Sequence, residues 1–421
     1  MRMAAIKARN SEELGAKGMN LWEQKTYNPL IFRSPENQLL GTRTVVYDVV
    51  IVGSGPAGSL AAIELAQHGL KVCLLERSTH PRYKTCGGGV LARAVRLLPF
   101  DIQNAVAHEC HTVELRFAGG GHGFRTTRST PIIFMTIRSA FDRLLVDEAI
   151  KYGVVLREES PVTGVLLGTD GVIVRTAAEE IFGRFVIGAD GVDSIVARAS
   201  GWNVTPVAVP ALECEVPVDP ATYARFHGLA RFDMDHPRYG YSWVFPKEGC
   251  LSVGVGLLTA RRDNPRLKEA FRLYIEQLGI KPVGPLDIHG ARIPVRPRKG
   301  ALGRDRVLLV GDAAGLADPI TAEGITHALL SGKLAATALI ERKLSAGTVE
   351  EHYCRLLEEE ILSELRIAGR LARFFYGHPM PRNLLFRVHG QRFCEKVTDI
   401  MMGERRYRDF NLSMPSLARY L

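Results

Sequence analysis

No run of apolar residues in this sequence approaches the length of about 18 that a membrane-spanning helix needs. The first twenty residues, MRMAAIKARNSEELGAKGMN, lack the apolar core of a secretory signal. They are also poor in serine and interrupted by Glu12 and Glu13, unlike a transit peptide. The seven cysteines are scattered and contain no C-x-x-C pair, so a zinc ribbon and a cysteine-ligated iron–sulfur cluster have no support. Cysteines so placed suit a reducing compartment, and the cytosol is the expected location. The run HECH places His108, Cys110 and His111 close together, with His122 nearby. Their spacing is not that of a standard ligand set, so no metal is expected and exposed loop residues are the simpler reading. No nucleic-acid-binding motif occurs.

What is present suits a sizeable core. The chain has 421 residues and is 46% apolar, enough for two or three domains. Its net charge of +9 suits a phosphate-bearing ligand, an acidic redox partner or the surface of an anionic membrane. A solvated basic surface gives the same number. Residues 1–44 read as an extension ahead of the first domain.

The stretch VVYDVVIVGSGPAGSLAAIELAQHGLKVCLLER carries the most chemistry. Val49–Val52 is a buried-strand run, and Gly53, Gly55 and Gly58 complete G-x-G-x-x-G. A helix is predicted from Pro56 to about His68 and a second strand over Lys71–Leu75, with Glu76 at its end. Gly53 permits the tight turn, Gly55 lets a pyrophosphate reach the backbone, and Gly58 brings helix and strand together. The helix N-terminus attracts the anion, and Glu76 suits a ribose hydroxyl. These features predict a dinucleotide site without distinguishing FAD from NAD.

Two later segments extend it. FGRFVIGADGVDSIVARASG predicts a strand over Arg184–Ile187, a turn through Gly188, Asp190 and Gly191, and a short helix capped by Asp193 or Ser194. DRVLLVGDAAGLADPITAEGITHALL predicts a buried strand, Arg306–Val310, ending in Gly311-Asp312 and followed by a helix from about Glu323 to Ile340. Asp312 suits a polyol chain. Gly324 and Ile325 can aim N–H groups at a flavin ring, while Asp318 suits loop organisation.

G-x-G-x-x-G, GADG and GDAAG in this order resemble the FAD domain of para-hydroxybenzoate hydroxylase-like flavoproteins. Three further strings narrow the resemblance to the geranylgeranyl reductase family: HPRYKTCGGGV (80–90), RSAFDRLL (138–145) and GYSWVFP (240–246). The match runs from about Tyr47 to the C-terminus. It implies adenine-side contacts at Ala57 and Glu76, cofactor contacts at Cys86, Gly87 and Gly89, and a pyrophosphate-side arginine at Arg138. It also implies a ribityl contact at Asp312 and ring contacts at Gly324 and Ile325. One departure is visible: the family's T-G-E-G-I is T-A-E-G-I here, with Ala322 beside the expected ring position.

Cys86 is expected to donate a proton or to shape the site, with Arg82 and Lys84 as candidate neighbours of its thiol. Tyr241, Trp243 and Phe245 alternate on one strand face. They are expected to line a channel for an isoprenoid chain, although core packing gives the same pattern. Gly254 and Gly256 could leave room for a ligand. From Ile361 onward, eleven Lys or Arg face five Asp or Glu. Arg366, Arg370 and Arg373 suit a lipid headgroup, a substrate diphosphate or plain solvent.

The expected fold is α/β: a Rossmann-like FAD-binding domain with an inserted, mostly antiparallel substrate sheet and a helical C-terminal region. The FAD domain is expected to be discontinuous (45–99, 139–199 and 301–345), with the substrate domain at 100–138 and 200–300 and the helical region at 346–421. The resemblance implies an FAD-dependent oxidoreductase that saturates carbon–carbon double bonds of a geranylgeranyl or other prenyl chain. NAD(P)H or reduced ferredoxin would be the electron donor, and peripheral contact with a membrane would fit the substrate. Competing readings are a flavin monooxygenase or halogenase and a dehydrogenase of the electron-transfer-flavoprotein–quinone type. Against the hydroxylase, Ala314-Gly315 stands where Ala-His is usual and Ala322-Glu323-Gly324 where Gly-Gln-Gly is usual. The missing cysteine pattern argues against the quinone type.

Overall fold

The computed structural model describes residues 47–117, 123–259 and 266–409. The extension at 1–44 and His122 lie outside them. Val49–Val52 is buried on both faces, as the central strand of a layered α/β unit must be. The strand Tyr47–Val52 pairs in parallel with Val72–Leu75 on one side and with Glu180–Gly188 on the other. Val155–Arg157 and Val307–Leu309 extend the parallel array at either end. Antiparallel strands complete an eight-stranded sheet. The helix Pro56–Gln67 is buried along almost its whole first two turns, because the helices Arg138–Lys151 and Ile325–Glu341 both pack against it. A helix so enclosed needs apolar residues all round.

A second sheet has seven strands, ordered His289–Pro294, Ala208–Pro217, Cys250–Leu257, Gly240–Lys247, Leu229–Met234, Thr112–Phe117 and Gly123–Thr127. Its pairings are antiparallel except Leu229–Met234 with Thr112–Phe117. A small third sheet joins Gly89–Leu91, Ile133–Thr136 and Val106–Cys110. It ties the cysteine–triglycine segment to Gly240–Lys247, the central strand of the larger antiparallel layer. The α/β class, the inserted antiparallel sheet and the helical C-terminal region therefore stand as expected.

The C-terminal helices are Thr348–Leu357, Ser363–Gly377 and Pro379–Met402, the first two joined by a π-helical turn, Glu358–Leu362. Phe375, Tyr376, Phe386 and Cys394 from these helices share one apolar cluster with Tyr241, Trp243 and Phe245 of the antiparallel sheet.

Two local readings are corrected. His108 and Cys110 are strand residues, not exposed loop: Nε2 of His108 meets the Gly228 N–H at 2.9 Å, and Cys110 is fully buried. Space at Gly254 is taken by the protein's own Trp243, whose indole lies 2.0 Å from where a Cβ would stand. Trp243 and Gly254 are cross-strand partners, so the missing side chain accommodates an indole.

Candidate functional site

Three parallel strands end side by side, with Val52 opposite Gly188 and Gly188 opposite Leu309. Each runs directly into one of the glycine-bearing turns found in the sequence. This is the carboxyl edge at which open α/β sheets bind ligands. Gly53 has φ +100°, and a Cβ there would stand 2.4 Å from the Ala189 carbonyl oxygen. A Cβ on Gly58 would stand 1.9 Å from the Gly53 oxygen. Gly55 differs: nothing lies within 4 Å of its missing Cβ. The N–H groups of Gly55, Ala57 and Gly58 have no partner among the described residues. Open space above unpaired amides at a helix N-terminus is a cradle for a pyrophosphate.

The helix Ile325–Glu341 is brought onto this cradle by small residues. Gly332 approaches so closely that a Cβ would stand 2.2 Å from the Ala57 oxygen, and one on Gly311 would stand 3.2 Å from the Ala57 Cβ. Asp312 and Gly324 thereby become neighbours, 3.5 Å from Oδ1 to the Gly324 Cβ position. Burial pushes the Asp312 carboxyl above its usual range, opposed by Lys84 and Arg138. The Gly324 and Ile325 N–H groups have no described partner, whereas the Thr326 N–H is taken by Glu323 at 2.7 Å.

Glu76 is buried at the end of its strand. It accepts from the Ser54 hydroxyl at 2.7 Å, from the Ser54 N–H at 3.3 Å and from the Ser78 N–H at 3.2 Å. Arg82 stands 3.1 Å away. Burial alone would raise the carboxyl, but Arg82 and Ser54 outweigh it and hold Glu76 below the usual carboxylate range. Arg82 also reaches Asp142 at 3.2 Å, and Asp142 accepts two bonds from Arg138 at 2.9 Å each. Arg138 in turn faces the Cys86 thiol, which together with Asp142 raises the guanidinium further against the effect of burial. A continuous ionic chain, Glu76–Arg82–Asp142–Arg138, thus runs from the expected ribose side to the cysteine loop. Arg138 is thus a cationic neighbour of the thiol that its sequence position does not suggest. Asp142 was missed, although its i,i+4 spacing from Arg138 on a helix is a legible signal.

The triglycine loop closes on the aromatic strand. A Cβ on Gly87 would meet the rings of Trp243 and Phe245 at 3.0 Å. Gly88 has φ +77° and comes against the Thr136 carbonyl, where a Cβ would stand at 2.1 Å. The Gly89 Cβ position lies 3.0 Å from Ile133. Tyr241, Trp243 and Phe245 are all buried on one face, next to this loop. Behind them lies a polar set that sequence reasoning missed. Ser252 donates to Glu213 at 3.0 Å and Tyr83 to the other carboxylate oxygen at 3.1 Å. Trp243 donates to Ser252 at 3.4 Å. Fully buried Lys247 pairs with Glu215 at 2.7 Å.

Asp318 organises its loop: one carboxylate oxygen takes the Ile320 and Thr321 N–H groups, the other the Tyr407 hydroxyl. Tyr376 donates to the Ile320 carbonyl at 2.5 Å and Tyr241 to that of Thr321. Ala322 lies inside this clamp with φ +55°. The basic C-terminal residues are less uniform than their spacing suggests, since Arg366 is paired with Glu358.

Residues 46–237 match the model of an FAD binding domain. The chain is 32% identical over 352 residues to digeranylgeranylglycerophospholipid reductase 1 of Methanopyrus kandleri, covering 77% of this chain and 90% of that one. It is 30% identical over 327 residues to geranylgeranyl diphosphate reductase of Rhodobacter capsulatus, covering 73% and 81%. A geranylgeranyl bacteriochlorophyll reductase-like protein of Thermoplasma acidophilum has the same fold, with TM-score 0.68 and 24% identity over 89% of this chain and 95% of that one. So has a flavin-dependent brominase, with TM-score 0.66 and 21% identity over 89% and 97%. The open cradle and its unpaired amides fit the FAD that this domain holds.

Proposed function

Because the chain belongs to the geranylgeranyl reductase family of FAD-dependent oxidoreductases, we propose that it saturates carbon–carbon double bonds of a prenyl chain. The observation that carries this reading is the Cys86–Gly89 loop folded against Tyr241, Trp243 and Phe245. There a thiol lies beside a buried row of aromatic rings, and Tyr241 of that row holds the Thr321 carbonyl in the loop that leads to Gly324.

In this reading Gly53, Gly55, Ala57 and Gly58 hold the pyrophosphate, with Arg138 as a further positive charge beside it. Glu76 takes the ribose, Asp312 the ribityl chain, and the Gly324 and Ile325 amides the ring. Gly87 and Gly89 would touch the cofactor through their backbone, their missing side chains letting the loop close on Trp243, Phe245 and Ile133. Bound and reduced, FAD would supply the hydride. The other alkene carbon needs a proton, and an unactivated alkene is so poor a hydride acceptor that protonation must lead or accompany the transfer. Cys86 is the proposed donor: its S–H bond breaks as the new C–H bond forms. Solvent then returns the proton to the sulfur. The three aromatic residues hold the chain and exclude water. Residues 45–99, 139–199 and 301–345 would act as the FAD domain, with NAD(P)H or reduced ferredoxin refilling it and the protein resting against a membrane surface.

The competing reading is O₂-dependent hydroxylation or halogenation, since a brominase shares the fold. Anaerobic turnover with a chemical reductant and a panel of farnesyl and geranylgeranyl substrates separates the two. The expected product gains two hydrogens per double bond and no oxygen or halogen. A requirement for O₂, or activity confined to small aromatic rings, would overturn the proposal.

A further inference from the structure

The helix Pro379–Met402 has two contrasting faces. Its inner face is fixed to the antiparallel sheet. Fully buried Arg382 pairs with Asp235 at 3.1 Å and donates to the Phe375 carbonyl at 3.0 Å. Phe386 stacks on Phe117, their centroids 4.4 Å apart. Gly390 lies so close to Phe124 that a Cβ would stand 2.2 Å from the ring. The outer face presents Met380, Leu384 and Val388, which are 84%, 60% and 72% exposed. Met380 and Val388 are the two most exposed large apolar side chains among the described residues. Spacing of four puts all three on one stripe. A rigidly anchored helix gains nothing for its own fold from such a stripe, and scattered exposure does not produce it.

Charge identifies what covers the stripe. Arg387 and Arg392 flank it on the same helix, both exposed and neither with an ion-pair partner among the described residues. Apolar side chains flanked by two unpaired arginines match the boundary between acyl chains and anionic headgroups. The helix's inner face belongs to the same apolar cluster as Tyr241, Trp243 and Phe245. A bilayer held at the outer face would therefore lie against a helix that shares the apolar core of the proposed chain site.

We propose that the outer face of Pro379–Met402 docks the protein onto an anionic lipid bilayer, with Met380, Leu384 and Val388 inserted among acyl chains and Arg387 and Arg392 at the headgroups. The docking surface stands on its own geometry. Only its use for substrate delivery rests on the prenyl reading.

The test is flotation of the FAD-loaded full chain with vesicles of phosphatidylcholine containing about one-third phosphatidylserine. Wild type is expected to float. The triple variant Met380→Gln, Leu384→Gln, Val388→Gln is expected to bind at least about tenfold more weakly. The double variant Arg387→Gln, Arg392→Gln should lose most of the salt dependence of binding. Turnover of a detergent-dispersed prenyl substrate should be unchanged in the triple variant, whereas turnover of the same substrate embedded in vesicles should fall. Failure of wild type to float, or equal flotation by the triple variant, overturns the proposal. So does a lipid-free dimer that the triple variant abolishes, because a second copy then covers the stripe. Vesicle binding without turnover of any prenyl substrate would leave the docking surface standing and sink the prenyl reading instead.

Discussion

Glu76→Gln isolates one charge in the adenosine half of the site. Glutamine keeps the volume and can still accept from Ser54, but it loses the ion pair to Arg82 at 3.1 Å and the charge offered to a ribose hydroxyl. Arg82 keeps Asp142 at 3.2 Å, so no guanidinium is left wholly uncompensated. The loss should therefore stay near the value for charge-assisted hydrogen bonds, about 1.5–3 kcal/mol, below the cost of breaking an isolated buried pair. If it falls on binding, FAD affinity drops about 10- to 150-fold. Titrating apoprotein with FAD and following flavin fluorescence measures this, and competition with ADP should show a similar ratio because ADP carries the same ribose. The pH dependence has a fixed sign. Glu76 is held below the usual carboxylate range, so its contribution to folding is complete above the unfolded value of about 4.3 and disappears as pH falls through the lower folded value. The variant should lose less stability than wild type on acidification through that window. Unchanged affinity for both FAD and ADP would refute the assignment of Glu76 to the cofactor.

Cys86→Ser should retain FAD, since serine is of similar size and the glycines around it are untouched. It should slow single-turnover reoxidation of the reduced protein by a prenyl substrate, because a hydroxyl is a far weaker acid than a thiol; a wild-type rate would reduce Cys86 to packing. Ala322→Gly should stabilise the protein by up to about 1.5 kcal/mol in denaturant unfolding. An L-residue in the left-handed region costs about 1–2 kcal/mol, and the extra chain entropy of glycine returns about 0.5–1 of that. A less stable variant would mean that packing of the Ala322 methyl outweighs its backbone strain.

The parts of the site that were legible in the sequence are those set by local backbone geometry. Gly53 and Gly58 announce themselves because each sits where a Cβ would strike a nearby backbone oxygen. The three strand ends were legible for a similar reason: apolar runs stop at glycine turns. The ionic chain from Glu76 to Arg138 was not legible as a whole, because Arg82 and Asp142 meet only when segments 60 residues apart are brought together. The same holds for Glu213, whose partners Tyr83 and Ser252 come from a loop and a neighbouring strand. His108 and Cys110 were misread because a polar residue close to a cysteine looks like loop until their partners are known, the Gly228 N–H for His108 and the paired strand for Cys110. Gly254 was misread because a missing side chain signals space without saying what fills it.

The departure at Ala322 bears on how the helical C-terminal region contributes to the site. A left-handed alanine persists only where its surroundings over-determine the turn. Five hydrogen bonds do so here. Asp318 holds the Ile320 and Thr321 amides, its own carbonyl accepts the Ala322 N–H at 2.8 Å, and Tyr376 and Tyr241 hold the Ile320 and Thr321 carbonyls. Tyr407 adds a hydroxyl to the Asp318 carboxylate. Tyr376 and Tyr407 both come from the C-terminal region, and Tyr241 comes from the aromatic strand. The loop they clamp leads straight into Gly324 and Ile325, whose amides are the unpaired donors at the proposed ring position. The C-terminal helices therefore do more than cover the antiparallel sheet. They fix the backbone at the start of the helix Ile325–Glu341, and a sequence so held can accept alanine where glycine is usual.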